Sequence, residues 1–162
     1  MKRICLWAMM LTGCLCACRQ RPLFYVYQPL PSGEWHTMDT LCFELAEVPA
    51  DGRYQVSVGV RTTNLYPYED LWLVVERRDA DDSRHRDTLC LQVNGEQGTG
   101  GLRRSGQQMP VWQTAGTVIH ECEDSVATLD LTVQRMPVRL LIYHLMRRQS
   151  LTGISDVGVK VQ

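Results

Sequence analysis

Apolar and polar residues alternate with period two over most of this 162-residue chain, the pattern of strands with one face buried and the other in water. The cleanest run is Tyr54, Val56, Val58 and Val60, separated by Gln55, Ser57, Gly59 and Arg61, and a turn at 49–53 (PADGR) precedes it. Leu41, Phe43 and Leu45 repeat the pattern, as do Ala127, Leu129, Leu131 and Val133, and then Val157, Val159 and Val161. Residues 71–76 and 88–93 read as two further strands, and Val111-Trp112 and 117–122 as shorter ones. The stretch 138–146 (VRLLIYHLM) is apolar on both faces, which suits either a central strand or a short helix. Val138, Ile142 and Tyr143, following Pro137, tilt it towards strand.

Polar and glycine-rich segments punctuate these runs. Asn64-Leu65-Tyr66-Pro67 marks a bend, 79–84 a loop and 149–153 a turn. The longest is 94–108 (NGEQGTGGLRRSGQQ), with glycines at 95, 98, 100, 101 and 106. A phosphate-binding loop needs a lysine and a Ser/Thr at fixed offsets and a helix to follow. This stretch has neither, and Pro110 follows, so it reads as a connector. About seven to eight strands with short turns and no convincing helix predict an all-β fold, an antiparallel β-sandwich.

The alternation breaks down before Leu41. Residues 18–36 carry Pro22, Pro29 and Pro31 and read as an extended lead, because proline fixes φ and donates no ladder bond. Phe24, Tyr25 and Tyr27 are too apolar for a free tether and are expected along the sheet surface. Upstream, Lys2 and Arg3 precede an uncharged apolar run, 4–18, that ends in small residues and cysteines. That is a secretory signal, shorter than the roughly 20 residues of a membrane span. Leu11-Thr12-Gly13-Cys14 reads as a lipobox and Leu15-Cys16-Ala17-Cys18 as a less regular second one. In such signals the cysteine thiol takes a diacylglycerol and cleavage falls just before it. At about 0.8 kcal/mol per buried methylene, one acyl chain holds marginally and several hold stably. Cys14 has the better motif, but Cys18 gives the more usual signal length, so Cys18 is the expected lipidation site and Cys14 the alternative. The organisation is then a lipoprotein signal over 1–17, a lead over 18–36 and one sandwich domain over 37–162.

Charge narrows the function classes. The chain carries a net −1, and losing Lys2 and Arg3 with the signal takes it to −3, so no basic field for nucleic acid exists. After the signal only Cys42, Cys90 and Cys122 remain, enough for at most one internal disulfide. Cys42–Cys90 is the least implausible pair, both lying opposite their strands' leucine face, and free core cysteines are the alternative. His36, His85, His120 and His144 are scattered, and His120-Glu121-Cys122 lacks the ligand count of a zinc site. No GxSxG elbow accompanies Ser155-Asp156. Trp35, Trp72 and Trp112, with Tyr66 and Tyr68, could stack on sugars. Trp72 lies opposite Leu71 and Leu73, so it is either core, the favoured place, or an exposed platform.

Residues 64–74 (NLYPYEDLWLV) resemble the GldH family of gliding-motility lipoproteins of Bacteroidetes, which pair a lipobox with Asn-x-Tyr-Pro-Tyr-x-x-Leu. The similarity reappears at 30–36 (LPSGEWH), Asp87-Thr88-Leu89, Met146-Arg147 and 151–160 (LTGISDVGVK), the last matching a closing Gly-Ile-x-Asp-Val-Gly. A Trp-Leu-Gly segment of the family, after the Asp-Thr-Leu strand, is replaced here by the glycine-rich loop. The motif positions Tyr66, Pro67, Tyr68, Leu71, Trp72, Gly153, Ile154, Asp156, Val157 and Gly158 either maintain the sandwich or also form a docking surface. The resemblance implies a non-enzymatic envelope lipoprotein, needed for gliding and linked to the type IX secretion apparatus. It implies no cofactor or small-molecule substrate, and partners among the membrane and other envelope proteins. Arg19-Gln20-Arg21 lacks the acidic cluster of surface-exported lipoproteins, which points to the periplasmic side of the outer membrane. A glycan-binding lipoprotein using Trp72 or Trp112 is the alternative.

Overall fold

A computed structural model describes residues 21–93, 107–114 and 117–162; for 107–114, 117–120, 122 and 127 only the backbone is described. The signal segment with Cys14 and Cys18, most of the glycine-rich loop, and the side chains of Trp112, His120 and Cys122 therefore lie outside the described residues. The strands are β1 (Phe24–Pro29), β2 (Glu34–His36), β3 (Leu41–Leu45), β4 (Gly52–Thr63), β5 (Asp70–Arg78), β6 (Arg84–Gln92), β7 (Gln107–Thr114), β8 (Thr117–Leu131), β9 (Val138–His144), β10 (Ser150–Thr152) and β11 (Ile154–Val161). They form an antiparallel five-stranded sheet ordered β1-β11-β4-β8-β7, a four-stranded sheet β3-β9-β5-β6 and a small pair β10-β2. The fold is all-β, a sandwich as the alternation predicts.

The core lies between the two large sheets. Val56, Val58 and Val60 of β4 stand in register with Val161, Val159 and Val157 of β11. They face Phe43, Leu71, Leu73, Leu91, Leu140 and Ile142 of the other sheet, all of them buried. The stretch 138–146 resolves as strand β9, central between β3 and β5, which explains its two apolar faces. Two stretches expected as separate, 117–122 and 127–133, are one 15-residue strand, β8. Its register against β4 shifts between Val56 and Ser57, where Val126 is the extra residue. A bulge of this kind interrupts the alternation without ending the strand. Val133 lies past the strand, exposed in a short 3-10 turn, Val133–Arg135.

The strands beyond those expected are β1 and the two short strands β2 and β10. The segment read as a lead is extended, but it belongs to the sandwich: β1 pairs with β11 from Phe24↔Val161 to Pro29↔Asp156. Pro29 is tolerated because β1 is a sheet edge and needs no ladder donor on its free side. β2, three residues long, pairs with β10 through Trp35↔Leu151. Neither β2 nor β10 is long enough to show a period, which is why alternation misses them. Cys42 and Cys90 are free thiols. They sit on β3 and β6, the two edges of the four-stranded sheet, three strand spacings or roughly 14 Å apart, far beyond disulfide reach.

Candidate functional site

The topology gives the sandwich two distinct ends. β1 enters at Phe24 beside Val161, the C-terminal end of β11, and this N-terminal end, the one a tether would join, is termed the tether end. Ile154, at the other end of β11, pairs with Thr62, so residues 64–69 between β4 and β5 lie at the opposite end. There the motif segments, remote in sequence, meet. The Gly153 N–H donates to the Gly33 carbonyl (2.9 Å), the Thr63 N–H to the Gly153 carbonyl (2.8 Å) and the Leu30 N–H to the Ser155 carbonyl (2.8 Å). Gly153 sits at φ +83°, and a Cβ there would run into the backbone of Leu65 and Tyr66. The bend at 64–67 thus rests directly on the turn at 152–154.

Most motif side chains hold this end together. Tyr66 is buried, donates its hydroxyl to the Asp70 carbonyl (2.8 Å) and meets Tyr68 edge-on at 5.6 Å. Burial, with Asp70 nearby, raises its pKa, so it remains a neutral phenol. Leu71, Ile154 and Val157 are core residues, Gly153 is buried, and Tyr68 and Asp156 are half-buried. Pro67 is exposed. Trp72, favoured as core, is 44% exposed on the outer face of the four-stranded sheet, its indole N–H donating to Asp70 Oδ2 (2.8 Å). Its partner on β6 is Cys90, and among the described residues nothing seals the ring from solvent. Trp35, in contrast, is 0% exposed. It donates its N–H to the Asp39 carbonyl (3.0 Å) and meets His144 edge-on at 5.5 Å.

His144 carries a pH prediction. It is buried at the end of β9, and neither ring nitrogen completes a well-formed hydrogen bond. Burial lowers its pKa, and the Trp35 backbone and Asp39 offset only part of this. Above the ordinary value of 6.5 both states hold a neutral imidazole and no pH dependence arises. Below it the unfolded chain takes up a proton that the folded one refuses. Stability then falls with decreasing pH, by at most about 1.4 kcal/mol per unit, until the folded pKa is reached. Urea midpoints at pH 7.5 and 5.5 test this. The drop between them should shrink in His144→Phe, and an unchanged drop would discount the group.

A second cluster lies on the outer face of the five-stranded sheet. Gly158 and Gly59 are paired across β11 and β4, and the Tyr27 ring of β1 lies over both. A Cβ at Gly158 would come within 2.6 Å of the ring. Arg61 stacks on the same ring at 4.1 Å, and its guanidinium meets Glu121 at 3.1 Å. The Tyr27 hydroxyl donates to Glu121 Oε1 (3.0 Å), and burial, then Glu121, raises its pKa. Every polar group in the cluster finds a partner, so it locks β1 onto the sheet. The sequence marks Gly158 as a motif position but has no means of naming Tyr27 as the group that approaches it. Among the described residues no group of three or more His, Cys, Asp or Glu could hold a metal ion, and no helix is long and apolar enough to cross a membrane.

A family model for the GldH lipoprotein matches residues 23–161, from the start of β1 to the end of β11. The chain belongs to the GldH lipoprotein family. It is also 28% identical over 85 residues to "Gliding motility lipoprotein GldH" of Flavobacterium johnsoniae, covering 52% of this chain and 53% of that relative. The chain thus spans about half the length of the curated relative it matches. Among solved structures, "Structure of Eiger TNF from S. frugiperda" aligns with a TM-score of 0.35 and 13% identity over 86% of this chain and 92% of that one. The GldH family match takes in both the tether-end strand pair β1–β11 and the convergent motifs at the far end, so the family's sequence pattern is the pattern of this sandwich.

Proposed function

We propose that this chain is an outer-membrane lipoprotein facing the periplasm, anchored by lipid on Cys18 (alternatively Cys14). In this reading it is a non-enzymatic assembly or stability component of an envelope complex of the gliding-motility and type IX secretion kind. The observation that carries the proposal is the pairing of a lipobox signal with a GldH family match over the whole sandwich. The side chains support it: motif residues serve packing and turns, and those left at the surface, Pro67 and Trp72, present contact area without catalytic groups. Its partners are the membrane and other envelope proteins, with no nucleic acid and no small-molecule substrate.

Labelled palmitate should enter the wild-type protein and be lost in Cys18→Ala. Loss in Cys14→Ala alone would transfer the anchor to Cys14, and an uncleaved, unacylated amine by mass spectrometry would refute the lipoprotein. A tagged protein drawn from detergent-solubilised envelope should bring a second envelope protein with it. The exposed Trp72 indole favours one other reading, a glycan-binding lipoprotein, because aromatic faces stack on sugars. Retention on a polysaccharide array with no co-purifying protein would select it.

A further inference from the structure

Resting on the anchored reading above, we infer that the end of the sandwich opposite the tether is a docking surface for an apolar, acid-bearing segment of another envelope protein. Four exposed hydrophobic side chains lie at that end: Trp72, Leu145, Met38 and Leu65, the last 70% exposed in the bend at 64–67. Trp72 and Leu145 (51% exposed) are neighbours across the sheet, the Leu145 N–H donating to the Trp72 carbonyl (2.8 Å). Met38, 91% exposed, lies in the turn after β2. Thr37 ties that turn to the segment following Leu145, its hydroxyl donating to the Arg148 carbonyl (3.2 Å) and its N–H to the Gln149 carbonyl (2.8 Å).

Charge adds the second half of the argument. The cations of the strands have carboxylate partners: Arg53 with Asp130, Arg61 with Glu121, Arg77 with Asp79, Arg78 and Arg86 with Glu76, Arg84 with Asp82, Arg139 with Glu44, and Lys160 with Glu123. Arg147 and Arg148 are adjacent, exposed and within 4 Å of no carboxylate among the described residues. Two guanidiniums with no carboxylate partner among the described residues, two and three positions after exposed Leu145, fit a partner that offers an apolar anchor flanked by Asp or Glu.

Distance from the anchor selects a protein over the bilayer. The chain from Cys18 to Phe24 reaches at most about 20 Å when fully extended. β4, with 12 residues, separates the two ends by roughly 40 Å at 3.3 Å per residue. With the domain standing on its tether, the patch would face away from the membrane that holds the lipid.

The test places a photoreactive benzophenone amino acid at Leu145 in the full chain in living cells, with the same residue at Val133, near the tether end, as control. Irradiation should give one adduct from position 145, identified by mass spectrometry as an envelope protein, and none from 133. Arg147→Glu with Arg148→Glu should cut the adduct about tenfold, and Arg147→Lys with Arg148→Lys should keep it. Adducts to a second copy, to lipid or to nothing from position 145, or a yield indifferent to charge reversal, would each overturn the inference. Palmitate incorporation in the same cells reports the anchor separately, so failure of docking and failure of the lipoprotein reading are told apart. Thermal melts of the two charge variants matching wild type ensure that a lost adduct is not a lost fold.

Discussion

Gly153→Ala is expected to destabilise the domain by about 4 kcal/mol, measured as the shift in urea-unfolding free energy of the chain from Arg19 onward. Two terms add. The residue sits at φ +83°, where an L side chain costs roughly 1–2 kcal/mol. The new Cβ would also lie 2.6 Å from the Leu65 carbonyl carbon and 2.8 Å from Tyr66 Cα. Those are backbone atoms in the bend at 64–67, which cannot step aside as a flexible side chain would, and such overpacking costs about 1–3 kcal/mol. Gly33 separates the two terms. Its φ is +66°, but the nearest atom to a Cβ there is the Ile154 carbonyl oxygen at 3.9 Å. Gly33→Ala should therefore show the conformational term alone, about 1–2 kcal/mol. Equal losses at the two positions would mean that the bend does not rest on Gly153.

Trp35→Ala is expected to cost about 3–5 kcal/mol, the range for removing a fully buried aromatic side chain. Trp35 is fully buried and is the largest side chain contributed by the small β2–β10 pair. It loses both its edge-on contact with His144 and the hydrogen bond to the Asp39 carbonyl. The melting temperature should fall by on the order of 10 °C. Trp35→Phe keeps the ring and gives up the N–H, so its loss should stay near 1–2 kcal/mol. If the phenylalanine variant were as unstable as the alanine one, the hydrogen bond would outweigh the packing and the account of this corner would be wrong.

The body of the fold is legible from alternation because its strands each bury one face. Tyr54 to Val60 show this best, and Val157, Val159 and Val161 are their partners in the sheet. Alternation fails where that physics changes. β9 is apolar on both sides because it is central in its sheet, so period alone left strand and helix open. Val126 interrupts β8 by a bulge that no local composition marks. β2 and β10 are three residues each and are defined by what they pair with. Trp72 is exposed although tryptophan favours the interior, because it stands on the outer face near the start of β5, whereas Val74 and Glu76 further along that face are buried. At the candidate site the glycines were readable as glycines, but not the reason for them. Gly158 is required by the ring of Tyr27, a residue 131 positions away in the chain and adjacent only once β1 pairs with β11.

That pairing has a mechanical side. β1 is the first strand after the N-terminal segment, and it leaves the sheet at the tether end, aligned antiparallel with β11 from Phe24 to Pro29. In the proposed arrangement, tension between a lipid at the N-terminus and a partner gripping the far end would run along β1, parallel to the strand. The ladder is then loaded in shear, so its bonds must yield together and not one after another from an end. Tyr27, seated over Gly158 and Gly59 and clamped by Arg61 and Glu121, adds an obstacle to sliding along that direction. A strand paired and clamped in this way is suited to a lengthwise pull from its N-terminal side.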